Sequence, residues 1–77
     1  MDIQAKVFEI VAQVCDTDVA NVTRKSTIGD FPKWDSMGHL SILQQVEEEL
    51  EISFEPEEMM DLEDVDDIIK AVEAKLK

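Results

Sequence analysis

The sequence is poor in the residues that build special chemistry. Two glycines exclude a glycine-rich phosphate loop, and one cysteine, Cys15, excludes both a disulfide framework and a cysteine metal cluster. Seven basic residues face nineteen acids, and none of the seven lies between Lys33 and Lys70. No apolar run approaches the roughly 20 residues that span a bilayer. The N-terminal apolar residues are spaced and interrupted by charge, unlike a signal peptide. A cytoplasmic chain without membrane insertion is therefore expected.

The 77 residues make one domain, 1–77, with 44% hydrophobic content that is ordinary for a folded protein. A chain of this size buries about 60–65% of its unfolded surface, enough for one modest core. The net charge of −12 repels nucleic acid and anionic lipid. Thirteen acids fall between Lys33 and Lys70. Such a run serves either as a solvated surface or as a docking field for partners with basic patches, which speeds encounter more than it tightens binding.

In chain order, residues 3–15 read as a first helix capped by Asp2, with Ile3, Val7, Ile10, Val11 and Val14 on one stripe and Phe8 and Cys15 at its edge. Cys15 reads as a small buried hydrophobe. Residues 16–35 form a long connection punctuated by Val19, Val22, Ile28 and Phe31, which is expected to lie over the core with a short helical turn near 18–22. Gly29-Asp30 and Pro32 mark turns. A second helix runs from Ser36 to Leu50 or Glu51, its core stripe formed by Ile42, Leu43, Val46 and Leu50. Met37 and Leu40 fall on the opposite side with Ser41, Gln44, Glu47, Glu48 and Glu51, two apolar side chains ringed by carboxylates. Pro56, Glu57 and Glu58 open a short third helix, with Met59, Met60 and Leu62 as its apolar contacts. A fourth begins near Glu63 or Asp64 with Val65, Ile68, Ile69, Val72 and Leu76 as its stripe. The fold class is all-α: a small four-helix bundle of three main helices and a short third, with a long loop between the first two.

The chemistry concentrates at Lys33-Trp34-Asp35-Ser36-Met37-Gly38-His39-Leu40. Asp35 is a strong N-cap, which leaves the Ser36 hydroxyl at the first helical position, outside the hydrogen-bond ladder. A phosphate attached there meets the positive helix end and free backbone N–H groups. Gly38 costs up to about 1 kcal/mol in a helix and allows close backbone approach near the site. Asp35, Ser36 and His39 are the residue types of a hydrolytic triad, yet all three fall within one turn, which cannot set base against nucleophile and acid against base. His39 projects near the core side and reads as structural. Asp61, Glu63 and Asp66 lack the loop spacing and central glycine of a calcium loop, and Met59-Met60 reads as core filler.

Taken together these features resemble the acyl carrier protein family. The resemblance covers almost the whole chain, carried by Asp35-Ser36-Met37 at the start of the second helix, by Glu47-Glu48-Glu49 in register with it, and by the length. It implies that a phosphopantetheinyl transferase uses coenzyme A to attach 4′-phosphopantetheine to Ser36 through a phosphodiester. The thiol of that arm then holds acyl or aminoacyl groups as thioesters. The resemblance further implies a monomeric carrier, itself no enzyme, serving a loading ligase and downstream acyltransferases or synthases of fatty-acid, polyketide or other specialised biosynthesis. By position it assigns partner contact to Met37, Leu40, Ser41, Gln44, Glu47 and Glu48, and capping and recognition to Asp35. It also makes Ile42, Val46, Phe54, Leu62 and Ile68 candidate lining for a sequestered acyl chain, which ordinary core packing explains equally well. Trp34, Met37 and Gly38-His39 depart from housekeeping fatty-acid carriers. Met-Gly after the serine is similar to D-alanyl carriers, and Trp before the Asp looks like stand-alone carriers of specialised pathways. From the residues alone, an acidic helical interaction module without a prosthetic group remains the alternative.

The charge leads to a direct expectation. Added salt or Mg²⁺ should raise the melting temperature by screening the acidic surface; a flat or falling response in thermal melts would show that self-repulsion does not limit stability.

Overall fold

A computed structural model describes residues 2–76 and contains the four expected helices, α1 (Ile3–Cys15), α2 (Ser36–Leu50), α3 (Pro56–Asp61) and α4 (Val65–Leu76), with a 3₁₀ turn at Val19–Asn21. Among the described residues the one β contact is an isolated antiparallel bridge between Thr27 and Asp64. No helix among them is long and apolar enough to cross a membrane.

Local chemistry sets the helix ends. The Asp2 carboxylate accepts from Ala5 N–H at 3.1 Å to open α1. Glu55 N–H donates to Glu58 Oε1 at 2.9 Å ahead of Pro56, which needs no N–H of its own at the start of α3. Asp67 N–H donates to Asp64 Oδ1 at 2.8 Å at the start of α4. α1 and α2 both stop on a left-handed residue, Asp16 at φ 54° and Glu51 at φ 56°. Left-handed backbone costs a non-glycine residue roughly 1 kcal/mol, and here it turns the cap N–H back onto the last helical carbonyls.

α1 packs against both α2 and α4. The core joins Val7, Ile10 and Val11 to Ile42, Leu43 and Val46, and to Val65, Ile68, Ile69 and Val72, all essentially solvent-free. Cys15 is a buried member of this core, as expected of a small hydrophobe, and burial pushes its thiol up. Ile42, Val46, Phe54, Leu62 and Ile68 all pack within it. Two expected core residues lie outside. Met60 is 81% exposed, because α3 has only six residues and turns Met59 inward on the neighbouring face. Leu76 is 46% exposed at the last position of α4, one turn beyond the buried Val72.

The long connection is fastened rather than merely laid over the core. Val65 N–H donates to Ser26 O at 2.9 Å, Asp66 N–H to Arg24 O at 3.0 Å, and Ile28 N–H to Glu63 O at 3.1 Å. Thr27 Oγ1 adds a bond to Glu63 O at 2.8 Å. These bonds fix the loop, so of the four apolar residues expected to anchor it only Val22 is buried and Phe31 half-buried, while Val19 and Ile28 are exposed. Arg24 completes the latch: its guanidinium lies 2.6–2.7 Å from Asp66 Oδ1 and donates to Gln4 Oε1 at 3.0 Å, while Lys70 reaches Asp66 Oδ2 at 2.9 Å.

The Asp66 carboxyl is held below the usual aspartate range, first by the hydrogen bond from Lys70 and then by that from Arg24. A depressed folded-state value contributes stability that is fully present above the unfolded range and is lost as pH falls through the folded value. Asp66→Asn should therefore lower the melting temperature at neutral pH, with the gap to wild type closing as pH falls through the depressed folded-state value, below which both carry a neutral side chain. An unchanged gap across that range in parallel melts would show that the latch does not depend on the Asp66 charge.

Candidate functional site

The local backbone puts Ser36 on display. Asp35 takes an extended conformation and its Oδ1 accepts from Gly38 N–H at 2.8 Å, so the helix starts at Ser36, which is exposed. Immediately before Asp35, Trp34 is the largest fully buried side chain among the described residues. Its N–H donates to Phe31 O at 2.9 Å, its carbonyl accepts from Gly29 N–H at 2.8 Å, and its ring stacks on Phe31 at 6.4 Å. Gly29, at φ +95°, supplies the left-handed backbone that this turn requires.

Trp34 is also bonded across the serine. Its indole Nε1–H donates to His39 Nδ1 at 3.0 Å, and the other imidazole nitrogen of His39 bonds the Leu62 carbonyl, at the exit of α3. The tautomer with its proton on Nε2 satisfies both bonds. His39 is thus half-buried and structural, as its projection suggested. With both imidazole nitrogens engaged and Asp35 occupied as a cap, neither group is free to activate Ser36, and the triad reading fails on geometry. The bond network of Trp34 was not legible in the sequence: its partners are Gly29 and Phe31 in the loop and His39 on α2. Only the bulk of a tryptophan beside the motif signalled it.

Gly38 is buried, and a Cβ there would collide with the Lys33 carbonyl oxygen. The backbone preceding the serine therefore crosses directly over the first turn of α2. This is the close approach for which its position suited it.

Along the outer face of α2, Met37 is 78% and Leu40 51% exposed, and Ser41, Gln44 and Glu48 are exposed beside them. Glu47 departs from this group. It is half-buried, and its Oε2 accepts from Phe54 N–H at 2.8 Å, holding the α2–α3 connection. Facing angle alone made it a surface residue; the chain that returns beneath it could not be read from α2. Met60 contributes a further exposed apolar side chain on α3. Adjacency to Met59 could have revealed it, since neighbours on a six-residue helix cannot share a face.

Charge is unevenly compensated. Lys6, Arg24, Lys33, Lys70 and Lys75 pair with Glu49, Asp66, Asp16, Asp66 and Glu58. The hydrogen bond from Lys75 pulls the Glu58 carboxyl below the usual glutamate range. Among the described residues no cation pairs with Glu48, Glu57 or Asp61, which leaves the outer sides of α2 and α3 negative.

No model of a known protein family matches the chain, and no curated protein matches it. Fourteen chains of solved structures do. One is the solution structure of a holo acyl carrier protein from Geobacter metallireducens, 30% identical in sequence, with a TM-score of 0.84 over 99% of this chain and 87% of that one.

The crowding at Gly38 gives an expectation of definite sign. Helix propensity alone would favour Gly38→Ala by up to about 1 kcal/mol. Because the obstructing atom belongs to the backbone, the substitution should instead destabilise by about 1–3 kcal/mol, as overpacking does. Urea unfolding reads the difference, and a more stable alanine variant would refute the close crossing.

Proposed function

The chain belongs to the acyl carrier protein family, and we propose that it carries acyl or aminoacyl groups on a 4′-phosphopantetheine arm attached to Ser36. 4′-Phosphopantetheine is the covalently bound prosthetic group of holo carriers in this family. When bound, the arm supplies a terminal thiol on which an acyl group rides as a thioester.

The observation that carries this reading is the placement of Ser36: exposed, and first in a fifteen-residue helix. The residues there fit a phosphodiester. With Gly38 N–H capped by Asp35, the N–H groups of Ser36 and Met37 have no partner within the helix, and the helix dipole favours an anion at this end. The surroundings also favour a passive role, since both nitrogens of His39 are engaged and Asp35 caps the helix. The serine is better read as the substrate of a transferase than as a catalyst.

Partner enzymes would dock on the outer face of α2, through Met37 and Leu40 with Ser41, Gln44 and Glu48 around them. Exposed methionine adapts to differently shaped surfaces. The uncompensated acids attract basic docking patches and raise the rate of encounter without making release slow. Glu47 contributes its charge to this field while its carboxylate holds Phe54 N–H. The arm, once the carrier is docked, raises the effective concentration of cargo at each partner's site.

In this reading the 77 residues form one monomeric, cytoplasmic carrier domain, loaded by a ligase and emptied by acyltransferases or synthases. Trp34 and the Met37-Gly38 pair favour a specialised pathway over central fatty-acid synthesis, and resemble stand-alone and D-alanyl carriers respectively.

Incubation with coenzyme A and a broad-specificity phosphopantetheinyl transferase should add the mass of one phosphopantetheine, and Ser36→Ala should stay unmodified by mass spectrometry. Failure of the wild-type chain to gain that mass would leave only an acidic interaction module.

A further inference from the structure

We propose that Trp34 and His39 are positioning residues for Ser36: the chain of bonds from indole to imidazole to the Leu62 carbonyl sets the serine at a fixed place relative to the corner between α3 and α4, and so sets how fast a transferase can modify it. This inference rests on the reading of Ser36 as the attachment site.

Three observations carry it. First, the Trp34 indole is wholly buried, so the core itself fixes its position. Second, its Nε1–H donates to a side chain on the far side of the serine, His39 Nδ1 at 3.0 Å, and closes the segment 34–39 with Ser36 inside it. Satisfying a buried indole N–H requires only some acceptor. A backbone carbonyl of the core would have served stability; the acceptor used lies on the serine's own helical turn. Third, His39 passes the constraint on through its second nitrogen to Leu62 O. The next carbonyl, that of Glu63, accepts from Ile28 N–H and Thr27 Oγ1 in the long loop. The first turn of α2, the exit of α3 and the loop are thereby joined into one body around the serine.

The consequence for modification is geometric. In the transfer, Ser36 Oγ forms a new bond to the phosphorus on the pantetheine side of coenzyme A as the pyrophosphate bond breaks. Adenosine 3′,5′-bisphosphate leaves, and the serine proton passes to the transferase or to solvent. The transferase holds coenzyme A, while this chain contributes the position of one oxygen. A transferase that rests on Met37 and Leu40 finds that oxygen where the Trp34–His39 bond has set it. A misplacement of about 1 Å can cost a reaction up to 100-fold without weakening binding. Loss of the bond should therefore appear in kcat, whereas loss of the docking face appears in KM.

The test is the kinetics of phosphopantetheine transfer from coenzyme A to wild type, His39→Phe, His39→Gln and Trp34→Phe. Helicity is checked by circular dichroism, and the Trp34 indole N–H is followed in ¹H–¹⁵N spectra. The two Phe variants should keep KM and lose about tenfold in kcat. His39→Gln, which keeps an acceptor for the indole N–H and a donor for Leu62 O, should recover most of that loss. In His39→Phe the indole N–H resonance should shift and exchange faster with solvent. Should His39→Phe lose its helical signal, Trp34→Phe carries the test, since it removes the indole donor and keeps an aromatic ring. Wild-type kcat in a folded variant whose indole bond is broken would overturn the proposal, as would a loss confined to KM. A wild-type chain that is never modified would overturn the reading of Ser36 and this inference together.

Discussion

The structure depends on a buried tryptophan placed two residues before an exposed serine. A serine proposed as an attachment site must be reachable, yet its backbone must not wander. Trp34 meets both demands by putting its bulk in the core while the chain surfaces again within two residues. Removing so large a core side chain costs about 3–5 kcal/mol in comparable proteins, a large part of the stability of a domain this small. The display of Ser36 and the integrity of the core are therefore one constraint. Gly38 and Gly29, the chain's two glycines, serve the same segment: one admits the Lys33 carbonyl, the other turns the loop back onto Trp34.

What could be read from the sequence was what local chemistry decides. Asp2 and Asp35 cap helices because an acid just ahead of an apolar period has few other uses, and Pro56 opens α3 because it lacks an N–H. The inward stripes of α1, α2 and α4 followed from periodicity alone. Met60 and Leu76 were misplaced by a short helix and a helix end, and the other failures share one cause, dependence on a distant segment. Val19 and Ile28 are apolar but exposed, because hydrogen bonds to the start of α4 fix the loop. Glu47 lies on the outer side of α2 by angle, yet Phe54 N–H arrives from seven residues further along to engage it. The Arg24–Asp66 contact joins residues 42 apart, and no pattern within either segment announced it. At the candidate site, the serine, its cap and the exposed apolar pair were legible, and the Met59-Met60 adjacency held the signal for Met60; the indole–imidazole bond became visible only in three dimensions.

The distribution of charge follows a division of labour among the helices. Arg24, Lys33, Lys70 and Lys75 are occupied in fastening the loop, the end of α1 and the short helix. Such exposed pairs contribute little individually, but they remove positive charge from open surface. Among the acids left without a cation partner are Glu48 on α2 and Glu57 and Asp61 on α3, the two helices that carry the exposed Met37 and Met60. A protein that must meet several enzymes in turn gains from this arrangement, in which attraction acts at a distance and the apolar contact is small.

One sulfur atom bears on the chemistry of cargo. Thioesters exchange readily with thiolates, and a carrier with an exposed cysteine of its own would risk drawing the acyl group off its arm and onto that side chain. Cys15, the last residue of α1, is packed into the core, and burial pushes its thiol up, away from the reactive thiolate. With its one cysteine buried, the chain offers no exposed thiol to compete with the proposed arm for an acyl group.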